Sequence, residues 1–210
     1  IREAAPARDA ELVETDEPAL GLVHAGRTLA SRRRPLQEAA RLAETVDAAD
    51  NAAACVLGFA AGHHCRALVE RLGQAGVVIC FEPDTALLRA VLERADHADW
   101  IASSRFVLLT DPDDRAAIGR AFEGVEGLIA LGVRIVHHAP SAARLGDLAQ
   151  RFADRFTEVV TSSKAVLMTT LAHSGTTLRN LAMNADIYAA ADGIVPLQGA
   201  AASRPAVVVS

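Results

Sequence analysis

Short apolar runs alternate with segments of helical apolar spacing through the middle of this chain. Four runs have the length of buried strands, at residues 54–57, 77–81, 106–109 and 133–137. Between the first two runs, apolar side chains recur at i, i+3, i+4 and i+7, which predicts an amphipathic helix. Strands that alternate with helices form a parallel sheet, and right-handed crossovers make 3-2-1-4 the simplest strand order. The fold class predicted is therefore α/β, with a Rossmann-like parallel sheet.

The apolar pattern differs before this region. Short runs at residues 11–13, 20–24 and 27–29 are separated by turn residues such as Pro18 and Gly26. They predict a small N-terminal β-hairpin piece.

The pattern changes again after residue 141, where apolar residues keep to one helix face across four turns. These residues are Leu145, Leu148, Phe152, Phe156 and Val159. We expect Ser162 and Ser163 to mark a kink, and Ser174 and Gly175 to separate this helix from a second one. The result is a C-terminal helical appendage, whose apolar face covers the sheet or pairs with another copy of the chain through residues 141–171.

These patterns divide the chain into four parts. The N-terminal lead-in covers residues 1–33, the Rossmann-like domain 34–140, and a helical hairpin or connection 141–193. Residues 194–210 are predicted to form a linker and the first strand of a following domain.

Glycines mark the turn between the first predicted strand and the helix after it. Gly58, Ala60 and Gly62 occupy alternate positions, and Glu82 ends the second strand 82 − 58 = 24 positions after the first glycine. In Rossmann folds such a turn brings the backbone close to a ligand, and the carboxylate at the strand end binds ribose hydroxyls. With His64, these four residues form the predicted ligand crevice.

Two departures weaken the case for S-adenosylmethionine as its ligand. Ala60 replaces the middle glycine, and Val56 stands where methyltransferases often carry an acidic residue. The favoured interpretation is a scaffold with a vacant or altered crevice and no cofactor; S-adenosylmethionine binding is the alternative.

Four histidines lie near the same edge of the predicted sheet. His63 and His64 follow strand one, and His137 and His138 end strand four. They could form a metal site or an acid–base pair with Glu82. Alternatively they hydrogen-bond the backbone, and adjacent strand residues point to opposite faces, so His137 and His138 cannot both face one ligand. We assign no catalytic residue and no metal site.

Aspartates precede two of the predicted helices. Asp84 is expected to cap the helix after strand two, and Asp111, followed by Pro112, the helix after strand three.

Composition narrows the function classes. Half of the residues are hydrophobic (51%), the net charge is −5, and no basic stripe interleaved with aromatics is present, which argues against nucleic acid as a partner. Three cysteines without C-x-x-C spacing are typical of buried thiols in a reducing compartment. No run of about 18 apolar residues predicts a membrane span, and no signal pattern opens the chain. A cytoplasmic location is expected, and the start at Ile1 indicates a fragment or a trimmed chain.

Several short motifs, in order, resemble the motility accessory factor (Maf) family, which is related to MptE-like 6-hydroxymethylpterin diphosphokinases. They are SRRRPLQEAARLAE at 31–44, LGFAAGHHCRAL at 57–68, FEPD at 81–84, TTLRNL at 176–181 and RPAVVVS at 204–210. The sequence departs from the family at Ala30, often histidine there, and at Ala60 and Ala61, where the family turn is richer in glycine.

The resemblance implies a role in flagellin glycosylation. Maf proteins are glycosyltransferases that move a nonulosonic acid, pseudaminic or legionaminic, from its CMP-sugar to Ser/Thr of flagellin. This chain corresponds to the N-terminal Rossmann-like domain, so the resemblance implies a non-catalytic accessory domain whose partners are the following catalytic domain and, through the parent protein, flagellin. A methyltransferase-like domain and part of a pterin diphosphokinase-like enzyme are the alternatives.

Overall fold

The computed structural model describes residues 3–103 and 105–191, and the chain divides into two units, residues 1–167 and 168–210. Seven strands are present in the described part of the chain: β1 (Ala10–Glu14), β2 (Leu20–His24), β3 (Arg27–Ala30), β4 (Ala53–Leu57), β5 (Val77–Phe81), β6 (Arg105–Leu109) and β7 (Val133–Val136). The helices described are α1 (Pro35–Glu44), α2 (His63–Leu72), α3 (Thr85–Leu92), α4 (Ala98–Ser103), α5 (Arg115–Arg120), α6 (Gly127–Leu131), α7 (Ala139–Leu145), α8 (Asp147–Met183) and α9 (Ala185–Ala190).

The last four strands form a parallel sheet in the order β6-β5-β4-β7, which is 3-2-1-4 when they are counted by themselves. Every residue of β4 and β5 is buried, because helices cover both faces of these central strands. The predicted α/β class with a parallel sheet is confirmed.

Alternate residues of the central strands build a separate core on each face. On one face, Val56 and Cys80 pack with residues of α2 and α3 and with Leu22 of the antiparallel sheet. On the other face, the rings of Phe81 and Phe152 stack with centroids 4.1 Å apart. The antiparallel sheet and the start of α8 are thus parts of the core of the first unit.

The N-terminal piece is a three-stranded antiparallel sheet in the order β1-β2-β3, one strand more than a hairpin. Ala25 and Gly26, with φ of 48° and 73°, connect β2 to β3. Positive φ at both central residues is the geometry of the tight turns that match strand twist.

The predicted helix break at Ser174 and Gly175 is wrong, because α8 continues through both residues to Met183. The hydroxyl of Ser174 donates to the carbonyl of Leu171, and that of Thr177 to the carbonyl of His173. Such bonds to the preceding turn let small polar residues stay inside a helix.

The apolar face that begins at Leu145 covers the sheet, which is one of the two roles expected for it. Leu145 of α7 and Phe152 and Phe156 of α8 are buried in the core against the parallel sheet, whereas Leu148 is 36% exposed. Pairing with another copy of the chain through residues 141–171 stays a prediction.

The predicted cap at Asp84 is confirmed, because its carboxylate accepts from the backbone N–H of Leu87 at 2.9 Å. The cap at Asp111 is wrong. Asp111 forms a local turn by accepting from the backbone N–H of Asp113, and α5 begins three residues later than the cap predicted, with Asp114 as its N-cap.

The predicted linker and final strand at residues 194–210 lie outside the described residues. Within the described ranges, none of the helices combines the length and the apolar character needed to cross a bilayer.

Candidate functional site

The turn after β4 adopts the backbone conformation that its glycines suggested. Gly58, Ala60 and Gly62 have φ of 96°, 45° and 80°. Left-handed φ is rare for alanine, so the turn places Ala60 in a strained conformation. The N–H of Gly58 donates to the carbonyl of Phe81 at 2.8 Å, which joins the turn to the end of β5.

Glu82 lies directly after β5 and is completely buried. Its Oε2 accepts from the backbone N–H of Phe59 and its Oε1 from that of Asp84, each at 3.1 Å. A guanidinium nitrogen of Arg144 also donates to Oε2. Both carboxylate oxygens are therefore bonded to groups of the same chain.

Arg144 reaches Glu82 from α7, the helix that follows β7. The other terminal nitrogen of its guanidinium lies 3.7 Å from the carboxylate of Asp84. Asp84 in turn lies 3.3 Å from Nε2 of His24 on β2. One chain of polar contacts thus joins α7, the end of β5 and the antiparallel sheet.

Ser141 of α7 occupies the space beside Gly58. A Cβ built on Gly58 would stand 2.2 Å from Cβ of Ser141, far inside van der Waals contact. The clearance that a glycine provides at this turn is taken up by α7.

Two of the four predicted histidines meet at this edge. The rings of His64 and His138 stack with centroids 4.3 Å apart. Nε2 of His64 donates to the carbonyl of Gly58 at 2.8 Å, and Nδ1 of His138 is 2.7 Å from Oγ of Ser141. The backbone hydrogen bond of His64 is the one that the non-functional interpretation predicted.

The other two histidines point elsewhere. His63 bonds the carbonyl of Leu20 on β2 at 2.8 Å, and His137 is exposed. Across the residues that the structure describes, no three His, Cys, Asp or Glu side chains group closely enough to hold a metal ion.

The stacked imidazoles differ in proton affinity. Burial, reinforced by the charge of His64, lowers the pKa of His138 to about 3. Burial also acts to lower the pKa of His64, but the neighbouring Cys65 thiolate and the hydrogen bonds to Cys65 and Gly58 outweigh it and raise that pKa. His138 is therefore neutral at neutral pH.

Gly58, Ala60, Gly62 and His64 follow β4, and Glu82 follows β5, so the five predicted crevice residues lie at the carboxyl ends of these two neighbouring strands. Arg144 and Ser141, which fill this crevice, were not identified from the sequence. An arginine a few residues after the fourth strand is the one available signal, and it is common on solvated helices.

Comparison with protein-family models, with curated proteins and with solved structures finds no match to this chain. A function is therefore proposed from the geometry of the crevice together with the motif resemblance.

The low pKa of His138 leads to a prediction about stability in acid. The unfolded chain protonates this histidine near pH 6.5, whereas the folded chain does so only near pH 3, so acid favours unfolding between these values. We expect the contribution of His138 to the free energy of unfolding to fall by up to about 2 kcal/mol between pH 7 and pH 5. Urea unfolding of the wild type and of His138→Asn at both pH values measures the difference.

His137→Asn is the matched control, because this neighbouring histidine is exposed. It should lose as much stability in acid as the wild type does, and His138→Asn should lose less. Equal acid losses in wild type and His138→Asn would contradict the assignment.

Proposed function

We propose that this chain is a non-catalytic accessory domain of a Maf-like glycosyltransferase, which transfers a nonulosonic acid, pseudaminic or legionaminic, from its CMP-sugar to Ser/Thr of flagellin. The observation that carries the proposal is the closure of the crevice by α7, through Arg144 on Glu82 and Ser141 on Gly58. Helix α7 stands where the ligand of a Rossmann-like domain would bind.

The hydrogen bonds that the carboxylate of Glu82 already makes would have to break before a ligand could bind to it. A ribose would need the carboxylate oxygens that now accept from Phe59, Asp84 and Arg144. Removing Arg144 would leave a buried charge without its partner, at a cost of about 3–5 kcal/mol. A nucleotide or S-adenosylmethionine would have to offset this cost before it gained any affinity.

The glycine turn supports the same conclusion. In dinucleotide sites the first glycines allow the backbone to approach a phosphate. Here Ser141 lies against Gly58, so the same clearance lets α7 pack on the sheet. The turn therefore has a structural use that needs no ligand.

The remaining parts of the proposal rest on the motif resemblance. The partners would be a following catalytic domain and, through the parent protein, flagellin. Exposed apolar side chains of α8 and α9 in the second unit offer a surface for that domain: Leu171, Leu178, Leu181 and Ile187. Cys55, Cys65 and Cys80 are free and buried, in keeping with a cytoplasmic location.

The proposal predicts the outcome of a transfer assay. We expect the 210-residue chain to leave flagellin unmodified in the presence of a CMP-nonulosonic acid, and a protein extended through the following domain to add the sugar. The mass of intact flagellin measures transfer, with a reaction lacking the donor as control. Sugar added by the 210-residue chain alone would refute the accessory role and make His64, His138 and Glu82 the first residues to mutate.

Calorimetry separates the two alternatives from the proposal. A methyltransferase-like domain would bind S-adenosylmethionine at micromolar concentration, and a pterin diphosphokinase-like enzyme would bind Mg-ATP. We expect neither titration to saturate. Micromolar binding of S-adenosylmethionine that Glu82→Ala abolishes would favour the first alternative.

A further inference from the structure

Two buried thiols meet where α2 packs on the parallel sheet. Cys65 lies on α2 and Cys80 on β5, and both are completely buried in the same core. Their side chains are hydrogen-bonded to each other, although 80 − 65 = 15 positions separate them along the chain. Cys55 of β4 belongs to the core on the other face of the sheet, with Phe81 and Phe152. Cys65 and Cys80 are therefore the two cysteines that a covalent bond could join.

The two thiols differ in proton affinity. Burial acts to raise the pKa of Cys65, but the hydrogen bond from Cys80 and the charge and hydrogen bond of His64 outweigh it and lower that pKa to about 6. Burial, reinforced by the hydrogen bond to Cys65, raises the pKa of Cys80. At neutral pH Cys65 is therefore a thiolate that accepts a hydrogen bond from the S–H of Cys80. A thiolate beside a neutral thiol is the arrangement of cysteines that respond to oxidants.

The burial of the pair restricts what can react with it. Neither sulfur is exposed to solvent, so bulky oxidants are excluded from the folded chain. A cavity of about 10 Å³, with room for about one water molecule, opens beside His64 between α1, α2 and β3. His64 directly precedes Cys65, so a molecule little larger than water needs only local opening at the start of α2 to reach the thiolate.

We propose that Cys65 and Cys80 form a peroxide-sensitive dithiol, which hydrogen peroxide converts to a disulfide between α2 and β5. Cys65 is the attacking thiolate and Cys80 the resolving thiol. The site uses neither the carboxylate of Glu82 nor a following domain, so it does not depend on the accessory role.

The reaction has two steps. The sulfur of Cys65 attacks one oxygen of hydrogen peroxide, the O–O bond breaks, and hydroxide leaves and takes a proton from solvent. Cys65 is then a sulfenic acid. The sulfur of Cys80 attacks the sulfur of Cys65, and the displaced hydroxyl group leaves as water with the proton of Cys80. The two cysteines lose two electrons in total, and the peroxide is reduced to two molecules of water.

Peptide mapping tests for the disulfide. Cys55 and Cys65 share the tryptic peptide 42–66, and Cys80 lies in 72–89, so the Cys55→Ala variant gives one cysteine in each peptide. The folded variant is treated with hydrogen peroxide, alkylated in denaturant and digested without reduction. We expect the two peptides to appear joined, about 2 Da lighter than their sum, and to separate on reduction with dithiothreitol. Fragmentation of the joined peptides assigns the same link in the wild type.

Two further variants assign the roles of the thiols. Cys80→Ala removes the resolving thiol, so the sulfenic acid of Cys65 should accumulate and form an adduct with dimedone. Cys65→Ala leaves the protonated thiol of Cys80, and its adduct yield should be at least tenfold lower. The two variants are matched, because each removes one completely buried sulfur from the same core.

The pH dependence of the first step is a readout that packing alone would not change. Because Cys65 is already half ionised near pH 6, the rate of sulfenic acid formation should rise only about twofold between pH 6 and pH 7.5. An ordinary thiol, with a pKa of about 8.5, would show a rise of about thirtyfold over the same range.

Three results would overturn the proposal. The first is that peptides 42–66 and 72–89 stay separate after peroxide treatment of the folded chain. The second is an equal yield of dimedone adduct in Cys65→Ala and Cys80→Ala. The third is a thirtyfold rise in rate between pH 6 and pH 7.5, which would show that the thiol reacts only after the chain unfolds.

Discussion

We expect Arg144→Met to lower the free energy of unfolding by about 3–5 kcal/mol, because it leaves the buried carboxylate of Glu82 without its charged partner. For a chain of this size such a loss lowers the melting temperature by roughly 10 °C. Urea unfolding at pH 7 measures the free energy, and thermal melting provides a second readout.

Arg151→Met is the matched control for this prediction. Arg151 also pairs with a carboxylate, that of Asp113 at 2.5 Å, but the side chains are 56% and 58% exposed. Solvent screens such pairs, so the same substitution should cost less than about 1 kcal/mol. Glu82→Gln combined with Arg144→Met should recover part of the loss, since no unpaired charge then remains. Equal costs at Arg144 and Arg151 would show that burial does not set the strength of the Glu82 pair.

The second large effect is expected for Gly58→Val, which should lower the free energy of unfolding by about 3–5 kcal/mol. Two causes add: a φ of 96° that a β-branched residue rarely adopts, and a Cβ that would overlap Ser141. Thermal denaturation measures the change.

Gly26→Val separates the two causes. Gly26 also has a positive φ, of 73°, but its added Cβ would meet nothing within 4 Å. It should therefore cost only the backbone strain, and Ser141→Gly in the Gly58→Val background should recover part of the difference. An unchanged melting temperature in Gly58→Val, together with lost binding of a ligand, would instead indicate that the crevice is a working site.

Local patterns in the sequence determined the elements that build the parallel sheet. Apolar runs of four or five residues between amphipathic helices predicted its strands, and fully buried β4 and β5 match that pattern. Asp84 capped the expected helix, because a cap bonds an N–H three residues away. These features depend on hydrogen bonds and burial within a few residues, which spacing along the chain encodes directly.

Local patterns gave wrong predictions where a residue suits two different backbone conformations. Asp111 formed a turn and Asp114 the cap, since either aspartate can accept a backbone N–H. Ser174 and Gly175 stayed helical although both favour helix ends in isolation. In each case the residue types allow both conformations.

The sequence by itself determined that Gly58, Ala60, Gly62, His64 and Glu82 would lie at one edge of a parallel sheet. Only the tertiary structure decided what fills that edge. Arg144 bonds Glu82 across 62 positions of the chain, and Ser141 meets Gly58. The docking of α7 against the sheet creates both contacts. Residue spacing within α7, or within the strand ends that it contacts, does not predict them. A carboxylate placed to bind ribose and one placed to hold an arginine have the same local sequence, because the difference lies in a partner that folding brings from elsewhere in the chain.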